Sequence, residues 1–451
     1  MTDATTDGRA TLPVGGGRDG MLGPYGSRLL HGWHATGGAA DLDEHLRRYG
    51  PPPFPRSTDA AARLVRAVED AGLTGRGGAA FPTGRKLRTV AAGRGTAVVV
   101  ANGMESEPAS RKDETLLSLA PHLVLDGAAL AAAAVGADVA HLCIPRTRQD
   151  QAHALREAVE KRRRPGLDPV PVLVHELPHH YVSSEETSLV RWLNGGDARP
   201  MATPPRPFEK GVGRRPTLID NVETLAHLAL IARYGPGWFR SAGRPDAAGT
   251  TLVTLSGALR TPGVYEVPMG RPLGEVLDVA GGAAEPLGSV LLGGFFGSWL
   301  PVGQALRVPF AKQDLASLGA GPGAGVIVAL PGRACGLAEA ARVLGYLAAQ
   351  SAGQCGPCRL GLPAVAADFA DLAWGRPTQE LTQRLEGRVG LLAGRGACRH
   401  PDGASRFAAT ALRVFADDVR HHLSLGPCAA AGHEPVLPVP ETPAPADREW
   451  R

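Results

Sequence analysis

Between residues 57 and 177 apolar runs and amphipathic stretches alternate at a steady pace, and no other feature constrains the fold as much. Ser57 to Gly72 has a capping serine, an apolar stripe at Leu64, Val65 and Val68, and a glycine stop, which together predict a helix. "TAVVVANG", 96–103, is an apolar run closing in polar and glycine residues, the pattern of a buried parallel strand. A helix from about Pro121 to Val135, a strand at Val139 to Ile144, a helix over Gln149 to Lys161 and a strand at Val170 to His175 follow. Strands and helices in this order predict an α/β layer around a largely parallel sheet.

The rest of the chain reads differently. At 451 residues it exceeds one ordinary core, so roughly two to four domains are expected. Residues 1–54 are Gly-rich and read as an arm, and 55–247 hold the α/β unit. Over 248–330, "TLVTLSGALRTPGVYEVPMGRPLGEVLDVAGG" reads strand, turn, strand, short helix, a small α+β unit with its turn at Thr261-Pro262-Gly263. Residues 331–425 contain four amphipathic stretches, whose natural packing is a four-helix bundle. The Pro-rich tail, 426–451, has no core-forming pattern and is expected to be disordered.

Net charge is +4, from 48 Lys and Arg against 44 Asp and Glu, which argues against a dedicated nucleic-acid binder. The one basic run, Lys161 to Arg164, closes a helix, where cations complement the dipole. Residues 1–20 lack the apolar segment of a signal peptide. The most apolar stretch, Leu123 to Ile144, is broken by Asp126 and Asp138 and is too short to span a bilayer. A cytoplasmic protein without direct membrane insertion is expected.

"SAGQCGPCR", 351–359, places Cys355 and Cys358 two residues apart, a spacing that suits metal or redox chemistry. Cys398, in "GRGACRHPDG", is a third thiol, and His400 is the nearest candidate for a fourth ligand. Zinc and an iron–sulfur cluster both fit such a set. Cys143 reads as a buried strand residue, Cys335 as too distant from Cys355, and Cys428 as a tail residue without a role. "GLTGRGGAAFPTGRK", 72–86, is a loop whose five glycines let backbone approach an anion, with Arg76 and Lys86 adding charge; a plain connector is the alternative. "ESEPASRKDE", 105–114, puts carboxylates beyond a strand's C-terminal end, where α/β sheets bind ligands; a solvated charge run is the alternative there.

In chain order, "GRGGAAFPTGRK", "NGMESEPASRKDE", "SSEETSLVRWL", "RPTLIDNVETLA", "TPGVYEVPMG" and "SAGQCGPCR" resemble the flavin- and NADH-binding subunit of respiratory complex I. The equivalent subunits of NAD-linked hydrogenases and formate dehydrogenases are similar in the same way. The resemblance covers about residues 55–425. It implies an α/β flavin domain, a ubiquitin-like β-grasp domain of the soluble-ligand-binding (SLBB) type, and a helical bundle holding a [4Fe–4S] cluster. It also implies hydride transfer from NAD(H) to FMN, and electron delivery to a ferredoxin-like or membrane-bound partner. By the same resemblance Gly75, Arg76, Gly77, Gly78 and Lys86 match the flavin loop, and Asn102, Glu105 and Ser106 a second flavin segment. Glu107 matches a carboxylate near the nicotinamide, Glu185 and Glu186 the paired glutamates, and Asn221 and Thr224 a third flavin contact. Phe81 matches one of the aromatic residues around the adenine.

The departures are specific. Met104 stands where the family has aspartate, Ser183-Ser184 where it has "CG", and Asp220 where it has asparagine. Two further adenine-clamping aromatics appear as Thr89 and Arg206, and a lysine of that pocket as Thr203. Each lost stacking face forgoes about 1 kcal/mol. Ala352 replaces the first cysteine of the cluster motif. Cys355, Cys358 and Cys398 would then hold a [3Fe–4S] cluster, or a [4Fe–4S] cluster whose fourth iron takes His400, Asp402 or water. The expectation is an FMN- and iron–sulfur-dependent oxidoreductase; its rival is a non-catalytic assembly or relay subunit that keeps the fold and cluster without NADH binding.

Overall fold

The structure is a computed structural model that describes residues 27–451. The first part of the expected arm, 1–26, lies outside the described residues. The remainder of it packs rather than extends. It forms helices α1 (His31–Thr36) and α2 (Leu42–Tyr49), with Asp41 capping α2 by accepting from the Glu44 N–H at 2.8 Å. Leu29 and Leu30 are buried, and Glu266 accepts the backbone N–H of Arg28 and of Leu29 at 3.0 and 2.9 Å. Apolar pairs this short carry no periodic signal, so composition alone misread the segment.

Helices α3 (Thr58–Ala71) and α4 (Thr83–Ala91) precede the sheet. Ser57 caps α3, and Gly72 stops it at φ 70°, as the sequence predicts. Strands β1 (Ala97–Asn102), β2 (Ala137–Pro145), β3 (Val172–Leu177) and β4 (Thr217–Asn221) are all parallel, in the order β3-β2-β1-β4. Between them run α5 (Lys112–Leu119), α6 (Pro121–Val135), α7 (Gln149–Arg163) and α8 (Glu186–Leu193), and α9 (Val222–Arg240) follows. β1 alternates: Ala97, Val99 and Ala101 enter the core with α6 and α9, while Val98 and Val100 join Met104, Leu189 and Val190 on the α8 side.

One ion network lies inside this core. Asp126 is fully buried and accepts from Arg162 at 2.7 Å and Arg233 at 2.5 Å, with His45 Nε2 at 2.7 Å. Arg162 also binds Asp168. The basic run is therefore not uniformly a solvated helix end, because Arg162 points inward to pair with a buried carboxylate.

After a short ladder of β5 (Gly243–Arg244) and β6 (Ala247–Ala248) comes a five-stranded mixed sheet. It contains β7 (Thr250–Gly257), β8 (Gly263–Pro268), β9 (Leu287–Leu292), β10 (Ser298–Pro301) and β11 (Val326–Pro331), in the order β10-β9-β11-β7-β8. Helices α10 (Leu273–Asp278), α11 (Val302–Ala305) and α12 (Lys312–Ala316) connect these strands.

The helical part comprises α13 (Gly336–Ala349), α14 (Leu362–Trp374), α15 (Gln379–Leu392), α16 (His400–Val414) and α17 (Ala416–Leu425). What reads as one last amphipathic stretch breaks at Phe415 into α16 and α17. The tail also departs from expectation, since it is a packed strap. Leu437 and Trp450 are 2% and 1% exposed, and Glu339 accepts the N–H of Val436 and Leu437 at 3.1 and 3.0 Å. The Arg199 guanidinium lies 4.8 Å over the Trp450 ring, whose residue carbonyl accepts the Ala198 N–H at 2.7 Å. An extended Pro-rich segment needs only a few such anchors, because its prolines carry no N–H to satisfy. Among the described residues no single helix is long and apolar enough to cross a membrane.

Candidate functional site

The strand order reverses between β1 and β4, and the carboxyl ends of these strands are where sheets of this kind form a ligand crevice. Asn102 and Asn221 are register partners there. Asn221 caps α9 by accepting the Glu223 N–H at 3.0 Å. The Gly-rich loop lies against this strand end, with the Arg76 N–H donating to Thr224 Oγ1 at 2.9 Å and the Gly75 N–H to the Phe81 carbonyl at 2.9 Å. A Cβ on Gly77 would stand 3.3 Å from Asn221 Cβ, and Gly78 has φ +118°, which disfavours any side chain.

The loop's charges are partly committed. The Arg76 side chain is buried, donating to the carbonyl and hydroxyl of Thr74 at 2.9 and 2.8 Å and to the Thr250 carbonyl at 3.2 Å, so it holds the loop together. Lys86 Nζ donates to the Ile219 carbonyl at 2.6 Å and lies 3.3 Å from Asp220 Oδ1. Asp220 Oδ2 is buried and lacks a donor. Phe81 is 44% exposed.

The second segment folds over the same crevice. Glu105, at φ 33°, accepts from Ser110 Oγ at 2.8 Å and from the N–H of Asp113 and Glu114 at 2.8 and 2.9 Å, which anchors the start of α5. Burial pushes its pKa up, but Arg148 and those N–H groups outweigh it and hold the carboxyl below its usual range. Ser106 Oγ donates to the Tyr181 carbonyl at 2.6 Å and meets Ser184 Oγ at 2.5 Å, while Asn102 Nδ2 donates to the Ser184 carbonyl at 2.9 Å. Glu107 Oε2 accepts the Tyr181 hydroxyl and the Phe295 N–H, each at 2.8 Å. A Cβ on Gly294 would come 2.6 Å from that oxygen, so glycine is what lets the five-stranded unit close on Glu107. Burial raises the Glu107 pKa to about 7 against the opposing pull of those donors.

Glu185 caps α8, accepting the N–H of Thr187 and Ser188 at 2.8 and 3.2 Å, and burial raises its pKa. Glu186 lies 3.8 Å from Arg206, whose side chain is 54% exposed. Two site residues escaped the sequence reading. Lys112 is buried and bridges Asp113 at 2.6 Å, Glu223 at 2.9 Å and Asn221 Oδ1 at 3.2 Å. Tyr181 holds Glu107 and Ser106 together. Lys112 sits inside a charge run, and Tyr181 is a lone aromatic in a polar loop, so neither has a periodic signal.

The three expected thiols converge. Cys358 lies in a wide turn over Pro357–Gly361 that leads into α14, and Cys398 comes two residues before α16. The pair α14 and α15 lies between Cys358 and Cys398 and returns the chain to one end of the bundle. Burial raises the Cys358 thiol pKa, and the nearness of Cys355 and Cys398 raises it further. Cys398 is likewise raised by burial, with Glu185 and Cys355 adding to the effect. Both shifts favour the neutral thiols while the set is empty. His400 is buried, not a surface residue. Its Nε2 lies 2.8 Å from the Leu347 carbonyl, its Nδ1 has no partner, and burial lowers its pKa to about 4. The His400 ring packs edge-on to Tyr181 and Phe296, with centroids at 5.8 and 5.3 Å. The cysteine loop is tied to the α/β part by Arg191 donating to Gln354 Oε1 at 3.1 Å and Gln354 Nε2 donating to the Pro200 carbonyl at 2.9 Å.

The residues present thus fit both groups that the motifs imply. The glycine cradle and the unpartnered Asp220 oxygen suit a flavin with its hydroxyl-bearing chain, and the three thiols suit an iron–sulfur cluster.

Comparison with known proteins agrees with this division. Residues 68–230 match the Nuo51 FMN-binding domain, 252–292 the SLBB domain, and 338–422 the NADH-ubiquinone oxidoreductase-F iron-sulfur binding region. The F 2 subunit of the NADH-quinone oxidoreductase of Rhizobium meliloti is 30% identical over 414 residues, covering 89% of this chain and 96% of that protein. The F subunit of the same enzyme in Aquifex aeolicus is 31% identical, covering 71% and 76%. Among solved structures, the NAD+-reducing [NiFe]-hydrogenase in the H2-reduced state superposes with a TM-score of 0.79 at 30% identity, covering 88% of this chain and 66% of that one. With a flavin-binding domain, an SLBB domain and an iron–sulfur region in that order, the chain belongs to the family of NADH-quinone oxidoreductase F subunits and the related modules of NAD+-reducing [NiFe]-hydrogenases.

Proposed function

We propose that this chain is an FMN- and iron–sulfur-dependent electron-transfer subunit that draws electrons from NAD(P)H and delivers them to a partner subunit. One observation carries the reading. The loop bearing Cys355 and Cys358 is hydrogen-bonded through Gln354 to Arg191 of α8 and to Pro200, so the thiol set adjoins the crevice-lining segment that Glu185 caps. FMN, when bound, supplies two-electron acceptance and one-electron release. Within the crevice Gly77 and Gly78 admit the ligand, Asn102 and Asn221 mark its floor, Lys86 and Asp220 flank it, and Glu107 holds or accepts a proton at Oε2. In the bundle Cys355, Cys358 and Cys398 are the cluster ligands, with His400 Nδ1 as the available fourth donor. The partner is another electron-transfer subunit.

A second reading, a relay subunit without NADH binding, draws on a different observation. Arg206, at a position the resemblance gives to an aromatic, is turned toward Glu186, and Phe81 is the one aromatic left of that set. Anaerobically reconstituted protein separates the two. Flavin absorption that bleaches with NADH supports the first reading. Flavin that bleaches only with dithionite supports the second. Equal flavin content in wild type and Gly78→Asp would overturn the placement of the flavin under the glycine loop.

A further inference from the structure

Three residues outside the cluster set come together at the opposite end of α13. Cys335 precedes that helix, His422 lies on α17, and Cys428 opens the tail. Their ligand atoms are all within 4.8 Å of one another. Cys335 Sγ is 3.7 Å from His422 Nε2. His422 Nδ1 is 2.9 Å from the Leu372 carbonyl, which fixes its proton on Nδ1 and leaves the Nε2 lone pair facing the two sulfurs. That lone pair now accepts the Cys428 N–H at 3.2 Å. Cys335 and His422 are buried and Cys428 is half-buried. Asp418 stands next to them, its carboxylate accepting the Gly336 N–H at 3.2 Å.

We propose that Cys335, His422 and Cys428 form a zinc site, with Asp418 or water in the fourth position. Two thiols and one imidazole are a soft-to-borderline donor set that suits tetrahedral Zn2+, and an oxygen ligand completes four-coordination. A histidine that donates its remote N–H to a backbone carbonyl is the usual support for a metal ligand. Binding converts two S–H groups to thiolates and releases two protons to solvent, and Nε2 exchanges the Cys428 N–H for the metal. No redox partner is required. A disulfide between Cys335 and Cys428 would use the same sulfurs but would give His422 no part.

The site is separate from the cluster ligands. Cys335 and Leu347, whose carbonyl binds His400, are twelve positions apart along α13, roughly 18 Å at helical rise. Its role would be to pin the tail to the bundle. Beyond Cys428, Trp374 Nε1 donates to the Ala431 carbonyl at 2.9 Å and Glu339 receives the next two anchors. The inference rests on the geometry of these three residues and not on the proposed electron-transfer role.

The test is Zn2+ and Co2+ binding to the full chain, for wild type, Cys398→Ser, Cys428→Ser and the double variant. Cobalt should give the visible bands of a tetrahedral thiolate site in Cys398→Ser, where the other thiol set is broken, and the double variant should lose them and the bound zinc; Cys428→Ser alone should bind less zinc than wild type. Circular dichroism confirms that each variant is folded. In wild type, Zn2+ should also protect Cys335 and Cys428 from alkylation, which gives a readout needing no variant. Equal zinc in Cys398→Ser and in the double variant would overturn the proposal. So would alkylation of Cys335 and Cys428 at one rate with and without zinc, or a Cys335–Cys428 disulfide in anaerobically isolated protein. Zinc retained in a protein that takes up neither flavin nor iron would sink the electron-transfer reading and leave this site standing.

Discussion

Glu107 is held by the Tyr181 hydroxyl and by the Phe295 and Ala109 N–H groups, yet burial still raises its pKa to about 7. The neutral form is therefore favoured in the folded state. Its stabilising contribution is full below the ordinary carboxyl value of 4.5 and is lost as pH rises through about 7. Glu107→Gln, which cannot ionise, should flatten that loss. In urea unfolding at about pH 5 and about pH 8, wild type should lose more stability over the interval than the variant. Parallel losses would show that Glu107 stays ionised throughout. Glu223 runs the other way. Burial alone would raise its pKa, but Lys112, His227 and Arg76 bring it to about 2, so its contribution is present above about 4.5 and is lost as pH falls toward about 2. The motif that contains Glu107 is readable, but its environment is not. Its partners come from 74 and 188 positions away.

At the level of elements, α6 was legible to the residue: Pro121 occupies its first turn and Gly136, at φ 68°, ends it. Its contact with α9 was not. Gly127 sits at a close approach of the two helices, and a Cβ there would overlap the Leu225 carbonyl oxygen. Gly127→Ala should therefore destabilise the α/β part by about 1–3 kcal/mol despite alanine's better helix propensity. A lower urea midpoint with an unchanged slope would bear this out; a raised midpoint would mean that propensity outweighs the clash. The break between α16 and α17 was hidden for a related reason. Neither glycine nor proline marks Phe415, which bends the chain where its ring packs against Gly336 and Trp299.

Across the whole molecule, the thiol set joins the crevice to the bundle, and its composition sets what it can hold. In the proposed cluster Ala352 would leave one corner without a thiolate, while His400 has a free Nδ1 nearby in the chain. Electron paramagnetic resonance with iron and sulfide analysis should show a [3Fe–4S] signal in oxidised wild type, converted by Ala352→Cys to a reducible [4Fe–4S] cluster. A [4Fe–4S] cluster already present in wild type and lost in His400→Ala would make the histidine the fourth ligand instead. The strap over 426–451 belongs to this scale as well. Trp450 packs on His180 and Arg199, so the tail touches the same loop that carries Tyr181.

The sequence by itself determined the parallel α/β layer, the helical bundle, the glycine loop and the Cys355, Cys358 and Cys398 set. Each of these is written in local periodicity, in caps and stops, or in short motifs of fixed spacing. Which partner each face and charge would meet was decided only in three dimensions. Arg162 and Arg163 are adjacent and chemically identical, yet one is fully buried on Asp126 and the other pairs with Glu160 in solvent. Cys335, His422 and Cys428 are single residues with no spacing to read, and they meet because α13, α17 and the tail pack together. Periodicity reports which way a side chain points. The closure of loops tens to hundreds of residues long decides what it finds there, and that depends on packing of the whole chain.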